Sequence, residues 1–374
     1  MKRCGKLLGC NFLHSSVFSV FLLFIVVGNI YFIPGTERHV STSMYNLPPK
    51  FTSKTPINCS TGSATGSGSD NRTSLTMFTS FPFVKSKFDI NLNTLQNWKH
   101  IYKSPKLILF TDDQRVVSAG VSSDWSVENV TTESVTEVPA LRTLFLESQQ
   151  RSKSYFYMYA NADILFDRYL SEILSGIEVF LKSSHLHNKP VLIVGQRTNI
   201  NISRINSHGV EAWKTILQKS YTIYTKFQKD AIDYFITNNV FPWRDVPQLV
   251  IGRVGYDNWI IAYARFRGFV TIDASSVISA IHQTNNNGNF EGFKNGNWDF
   301  NRELIWKTGP PFNYALWGQT DCCPYRVIYD DCSRVRVLKR PAVPLHCDRL
   351  NLISSITHYL FGNDVYYLGH KQKL

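Results

Sequence analysis

The sequence predicts an α/β domain: a mainly parallel sheet covered by helices on both faces. Two observations carry this. Runs such as KLILF (106–110) and VLIV (191–194) contain almost no polar residue and show no alternation, as strands buried on both faces do. Between such runs, apolar residues recur at helical spacing, as at Leu170, Ile173, Leu174, Ile177 and Leu181. Strands that alternate with helices imply parallel pairing through crossovers.

The elements follow in order. Thr76 to Val84 (TMFTSFPFV) reads as a first apolar strand and turn, and Lys106 to Phe110 as a short buried strand ended by Thr111-Asp112-Asp113. Pro139 suits the first helical position, because its fixed φ is helical and its missing N–H would be unpaired there anyway. Leu141, Leu144 and Phe145 then share one face. Tyr155 to Ala160 (YFYMYA) is a strand, followed by the helix that carries Leu170 to Leu181. Val191 to Val194 is a strand stopped by Gly195. Lys226 to Thr237 reads as a helix. Asp257 to Arg267 is another, stopped by Gly268, and Phe269 to Ile272 returns as a strand. Beyond about Asn285 the alternation is no longer legible.

Composition bounds the rest. With 374 residues, 43% hydrophobic and 18% charged, the chain is neither wholly disordered, nor collagenous, nor a disulfide-dense miniprotein. Forty basic against 28 acidic residues leave a charge of +12, which suits nucleic acid, anionic membrane or phosphorylated substrates. No block of like charge chooses among them; Arg334, Arg336, Lys339 and Arg340 read as a solvated edge.

The N-terminus speaks to compartment. Residues 17–33 (VFSVFLLFIVVGNIYFI) carry no charge, slightly short of the ~20 residues that span a bilayer. Lys2, Arg3 and Lys6 precede the run, so the positive-inside bias leaves 1–16 as a cytosolic tail and sends the remainder across. A cleaved signal peptide is the competing reading, but bulky Tyr31, Phe32 and Ile33 end the run where small residues would mark cleavage. Residues 34–75, with the Ser/Gly/Thr-rich stretch STGSATGSGSDNRTS, read as a disordered stem. The α/β domain occupies 76–305, and 306–374 form a Cys-containing extension packed on it.

This topology makes the N-x-[ST] triplets at Asn58, Asn71, Asn129 and Asn201 candidate glycosylation sites, and it disfavours a nucleic-acid partner despite the charge. Of the seven cysteines, Cys4 and Cys10 lie in the cytosolic tail, free or palmitoylated. Cys322, Cys323, Cys332 and Cys347 should form one or two disulfides in an oxidising lumen. A zinc site is the rival, without the paired C-x-x-C spacing. Cys59 leaves an odd count and could link two chains as a homodimer.

In such sheets ligands bind outside the carboxyl ends of the strands. Asp112 and Asp113, Asn161 and Asp163, Gln196 and Arg197, and Asp273 all follow strands. Asp163, in Asn161-Ala162-Asp163, could hold a hard divalent cation against a diphosphate, or cap a following helix. Asp257, in GRVGYDNW, sits at a helix start; an ionised carboxylate there could take a proton from a hydroxyl, or again serve as a cap. His282 could ligate the cation or bind phosphate, or be structural.

Together these features resemble a Golgi-type, type II membrane glycosyltransferase with a GT-A (nucleotide-diphospho-sugar transferase) domain of Rossmann-like build. The matching segments are FTDD at 110–113, YANADILF at 159–166, VGQR at 194–197, and IGRVGYDNWIIAYARFRGFVTIDAS with AIHQ between 251 and 283. The resemblance implies transfer of a sugar from a nucleotide-sugar donor, a UDP-sugar above all, to a glycan or glycoprotein acceptor. It implies Mn2+ or Mg2+ as cofactor, and a Golgi or ER membrane with the domain lumenal. Asp112 or Asp113 would contact the nucleotide. Asp163 and His282 would hold the metal, with Asn161 in support where the family's motif has Asp. Arg197 would touch donor sugar or phosphate. Asp257 would be the general base, and Asn258 and Trp259 would shape the acceptor site.

Two other functions compete. One is a catalytically inactive, lectin-like or scaffold domain, motivated by Asn161 and by Trp213, Trp243, Trp259, Trp298 and Trp306 as stacking surfaces. The other is a hydrolase using Asp163 and Asp257 as paired carboxylates.

Overall fold

The computed structural model describes residues 74–133, 135–205, 209, 211–222, 225–284, 296–308 and 314–347. The expected tail, the anchor at 17–33, the stem up to residue 73, Cys4, Cys10, Cys59, and the triplets at Asn58 and Asn71 lie outside the described residues. Among the described residues, no helix is long and apolar enough to cross a membrane.

The strands are β1 (Leu75–Ser80), β2 (Lys106–Phe110), β3 (Ser126–Glu128), β4 (Phe156–Ala160), β5 (Ile164–Phe166), β6 (Val191–Val194), β7 (Arg197–Asn201), β8 (Tyr234–Asn238), β9 (Val270–Asp273), β10 (Ala280–Thr284), β11 (Tyr325–Tyr329) and β12 (Val335–Lys339). The helices are α1 (Phe88–Lys99), α2 (Gln114–Ser122), α3 (Leu141–Arg151), α4 (Leu170–Ser183), α5 (Ala212–Ser220), α6 (Tyr256–Phe266), α7 (Phe300–Thr308) and α8 (Tyr314–Trp317).

Among the described residues, nine strands form one sheet in the order β12-β11-β9-β6-β8-β4-β1-β2-β3, and β5-β10-β7 form a second, smaller one. The large sheet is mostly parallel: β4, β1, β2 and β3 run together, as do β6, β9 and β11. β8 joins the two blocks by pairing antiparallel with both β4 and β6.

Side-chain alternation along the strands divides the core. Met77, Phe156, Met158, Val191, Ile193, Tyr234 and Ile236 face α1, α2 and α4. Phe78, Tyr157, Tyr159, Leu192, Val194 and Phe235 face α3, α6, α7 and α8. Helices thus cover both faces, as the continuous apolar strands require. Each fully buried large apolar side chain contributes about 1.5–3 kcal/mol, so a central strand such as β6, buried throughout, is held mainly by its two apolar faces. The small sheet packs against α5 through Leu165, Ile200, Trp213, Ile216 and Ile281.

Three expectations need correction. The segment from Lys226 to Thr237 is not a helix: it ends in β8, buried at every position. Aromatic and β-branched Tyr234, Phe235, Ile236 and Thr237 suit a pleated surface packed on both sides. Pro139 is not the first helical residue, because the chain stays extended through Ala140, which bridges Val250, and the Leu141 N–H donates to the Leu249 carbonyl. The expected boundary at 305 also dissolves: β11 pairs with β9 and carries β12 into the large sheet.

Cys322 and Cys347 form a disulfide, Cys332 is also disulfide-bonded, and Cys323 is free and buried.

Candidate functional site

β4 ends at Ala160 and the chain turns at once through Asn161, Ala162 and Asp163 into β5. The turn is held by its backbone. The Asn161 N–H donates to the Asp233 carbonyl at 3.0 Å, and the Gln283 N–H to the Asp163 carbonyl at 3.0 Å. Asn91 Nδ2 donates to the Ala162 carbonyl at 3.0 Å. A strand, not a helix, follows Asp163, so its carboxylate caps nothing.

Register then supplies the partner. β10 lies between β5 and β7, with His282 opposite Ile164 on one side and beside Asn199 on the other. His282 Nδ1 is 3.1 Å from Asn199 Oδ1, and Nε2 is 3.2 Å from Asp163 Oδ2. In the tautomer whose Nδ1–H donates to the amide oxygen, Nε2 would turn a lone pair toward the carboxylate and a cation would fit between them; in the protonated ring Nε2–H donates to Asp163 instead. The second carboxylate oxygen, Asp163 Oδ1, is buried without a hydrogen-bond partner. A buried acceptor in that condition is costly unless something fills it. Burial alone would raise the Asp163 pKa, but His282, then Lys87 and Arg197, outweigh it and hold the carboxyl below its ordinary value. An oxygen and an imidazole nitrogen side by side, with one oxygen unfilled, fit a divalent cation such as Mn2+.

The other end of the site is α6. Its cap, Gly255, has φ 94°, a backbone state that glycine adopts without strain. Asp257 lies in the first turn, partly exposed but largely surrounded by protein. Burial, and then the charges of Asp233 and Asp230, raise its carboxyl to about 7 against the helix-end N–H groups of Asn258 and Asp257 that oppose the shift.

Asp163 and Asp257 share no hydrogen bond; the electrostatics connect them only indirectly, through Asp233. It pairs with Arg197, whose charge reaches Asp163, and it repels Asp257. Around it, Asn161 Nδ2 donates to Asp233 Oδ1, while Asn161 Oδ1 accepts from the hydroxyls of Tyr159 and Tyr256.

Several expected residues do other work. Asn161 uses both Nδ2 and Oδ1 within this network. Arg197, 7% exposed, pairs with Asp233 and lies over the Phe227 ring at 4.8 Å, while its Nε is buried without a hydrogen-bond partner. Asp113 caps α2 and pairs with Arg115; that side-chain hydrogen bond, above all, lowers its carboxyl to about 2. Asp112 is exposed beside it. Asn258 ties loops together, donating to the carbonyls of Asp230 and Gly318. A Cβ on Gly318 would lie 2.0 Å from the Asn258 carbonyl oxygen, which is why that position has none. Trp259 is core, 1% exposed and stacked on Tyr263. Trp213 and Trp243 are buried too, which removes three of the five indoles expected as sugar platforms.

The sequence reading missed Asp233, Asn199, Lys87, Tyr159 and Tyr256. Asp233 lay in a presumed helix, and the others become visible only once β4, β8, β7 and β10 are placed.

Three further features bear on the expectations. Asn129 is exposed, and Asn201 is half-buried with its Oδ1 accepting from the Ser203 N–H. Asp321, Cys322, His346 and Cys347 cluster as metal ligands would, but the two sulfurs are bonded to each other, so the zinc reading fails. A cavity of about 560 Å³ lies at the amino ends of β2 and β3, away from the site, and its charged walls pair as Lys99–Asp124 and Arg151–Glu128.

No protein-family model matches the chain, and no curated protein matches it. Among solved structures it resembles S. aureus TarS 1–349 in complex with UDP-GlcNAc, at 13% identity and a TM-score of 0.24, over 37% of this chain and 36% of that one. The match thus spans little more than a third of TarS 1–349, and 23% of the longer S. aureus TarS chain. It resembles the mannosyltransferase PcManGT from Pyrobaculum calidifontis in complex with GDP-Man and Mn2+, at 12% identity and a TM-score of 0.35, over 64% of both chains. It also resembles M. tuberculosis glucosyl-3-phosphoglycerate synthase, at 10% identity and a TM-score of 0.34, over 64% of this chain and 82% of that one. These likenesses are distant.

Proposed function

We propose that the protein is a glycosyltransferase that moves a sugar from a nucleotide-diphosphate sugar, a UDP-sugar first of all, to a hydroxyl of a glycan or glycoprotein. The observation that carries this is the Asp163–His282 pair at the carboxyl end of β4, with Asp163 Oδ1 buried and unfilled. Asp163 and His282 would hold Mn2+ or Mg2+. A divalent cation there supplies neutralisation of the charge that grows on a departing diphosphate.

The chain's own residues do the rest. His282 first, and then Lys87 and Arg197, favour the ionised form of Asp163. Asp257, its carboxyl raised to about 7, takes the proton from the acceptor hydroxyl as that oxygen bonds to the sugar's anomeric carbon. The bond from that carbon to the diphosphate breaks on the opposite face, and the nucleotide diphosphate leaves with the bonding pair. Such a single displacement inverts the anomeric centre. A base with a pKa near the working pH combines a useful charged fraction with proton affinity.

The Cys322–Cys347 disulfide supports an oxidising compartment, and with it the reading of a type II Golgi or ER membrane protein whose domain is lumenal. The test is a screen of the full chain against UDP- and GDP-sugars with Mn2+ or with EDTA, read as released nucleotide. Metal-dependent release from one donor is the expected result. No release and no UDP binding under any condition would refute the proposal.

A further inference from the structure

Positions 161 and 233 face each other by construction. β4 and β8 pair antiparallel with Ala160 opposite Tyr234, so the next pair beyond the strand ends is Asn161 and Asp233. The Asn161 N–H donates to the Asp233 carbonyl at 3.0 Å, which keeps the two in contact past the last strand residues. Side chains placed directly opposite across antiparallel strands stand close enough that like charges destabilise the pair.

The side chains answer that constraint. Asn161 Nδ2 donates to Asp233 Oδ1 at 3.0 Å. Asn161 Oδ1 accepts from Tyr159 Oη at 3.0 Å and from Tyr256 Oη at 3.3 Å. The other oxygen of Asp233 holds Arg197. Asp233 is 6% exposed, so water does not screen this corner. An amide can donate to a carboxylate on one side and accept from two hydroxyls on the other, whereas an ionised carboxylate can only accept. An aspartate at 161 would turn an acceptor toward an acceptor, and two carboxylates would share one guanidinium.

We propose that Asp233 is a positioning residue of the donor site: it carries the carboxylate of this corner, dictates a hydrogen-bond donor at position 161, and holds Arg197 in place. The donor-site role rests on the function proposed above, whereas the complementarity of 161 and 233 does not.

The experiment is a charge swap in the full chain: Asn161→Asp, Asp233→Asn, and both together, each followed by thermal unfolding and by calorimetric binding of UDP with Mn2+. Each single variant should unfold at lower temperature and bind UDP about tenfold more weakly, equivalent to ~1.4 kcal/mol. The double variant should recover most of the unfolding temperature and bind within about threefold of the wild type, equivalent to ~0.7 kcal/mol. A double variant no better than the worse single in both measurements overturns the proposal. If stability recovers but UDP binding, present in the wild type, does not, the positioning role is overturned. If stability recovers and even the wild type fails to bind UDP, the charge placement is upheld and the glycosyltransferase reading fails instead.

Discussion

His282 stands 3.2 Å from Asp163, Nε2 to Oδ2, across 119 residues of sequence. The contact exists because β10 is sandwiched between β5 and β7, which aims the ring at the turn after β4 while Asn199 holds its other nitrogen. Asp163→Asn should therefore abolish the Mn2+-dependent part of UDP binding with little loss of stability, since the carboxylate supports no backbone cap. His282→Ala should raise the Mn2+ concentration for half-maximal binding about tenfold or more, in the range expected for loss of ligand support. An unchanged Mn2+ titration in both variants would remove the cation from this site.

Asp257 makes a prediction in two parts. Its carboxyl is raised to about 7 by burial and by Asp233 and Asp230, and a base acts only when charged. Turnover should rise with pH around 7, and Asp257→Asn should lower kcat by a factor of about 10²–10⁴ while UDP still binds. The stability effect has the opposite sense. Between the ordinary carboxylate range and pH 7 the folded form holds a proton that the unfolded chain releases, so stability falls as pH rises through that window. Asp257→Asn should unfold at a higher temperature than the wild type at about pH 8, and lose that advantage at about pH 4.

Trp259 tests the correction at the acceptor side. Stacked on Tyr263 and almost wholly buried, it should cost about 3–5 kcal/mol of stability when replaced by Ala. Equilibrium urea unfolding measures this. A stable Trp259→Ala variant with a raised acceptor KM would restore the role first expected for it.

The Cys322–Cys347 bridge pins a stretch at which Arg265 also donates to the Cys347 carbonyl. Replacing both cysteines with Ala should cost about 2–4 kcal/mol, seen as a lower urea midpoint. Equal midpoints for the variant and the wild type, in the absence of reductant, would show that the bridge contributes nothing.

Much of the fold could be read from local pattern. KLILF became β2 and VLIV became β6 at the expected residues, and Leu170 to Leu181 formed the inner stripe of α4. Lys226 to Thr237 misled because a short aromatic and β-branched run is consistent with either period, and only its two antiparallel neighbours choose. Trp259 was read as functional for the same reason that it is core: it follows the Asp257 turn, and on α6 the position two residues on points inward.

What the sequence by itself determined is what depends on neighbours a few residues away: which segments are apolar enough to be buried strands, where helical stripes lie, and that acidic residues follow strand ends. What only the tertiary structure decided is the use of those residues. Whether an aspartate caps its own helix, as Asp113 does, or meets a histidine from another sheet position, as Asp163 does, depends on register between strands far apart in the chain. A shift of one residue would turn the side chains to the other face, so pairing, rather than residue type, sets which groups share a site.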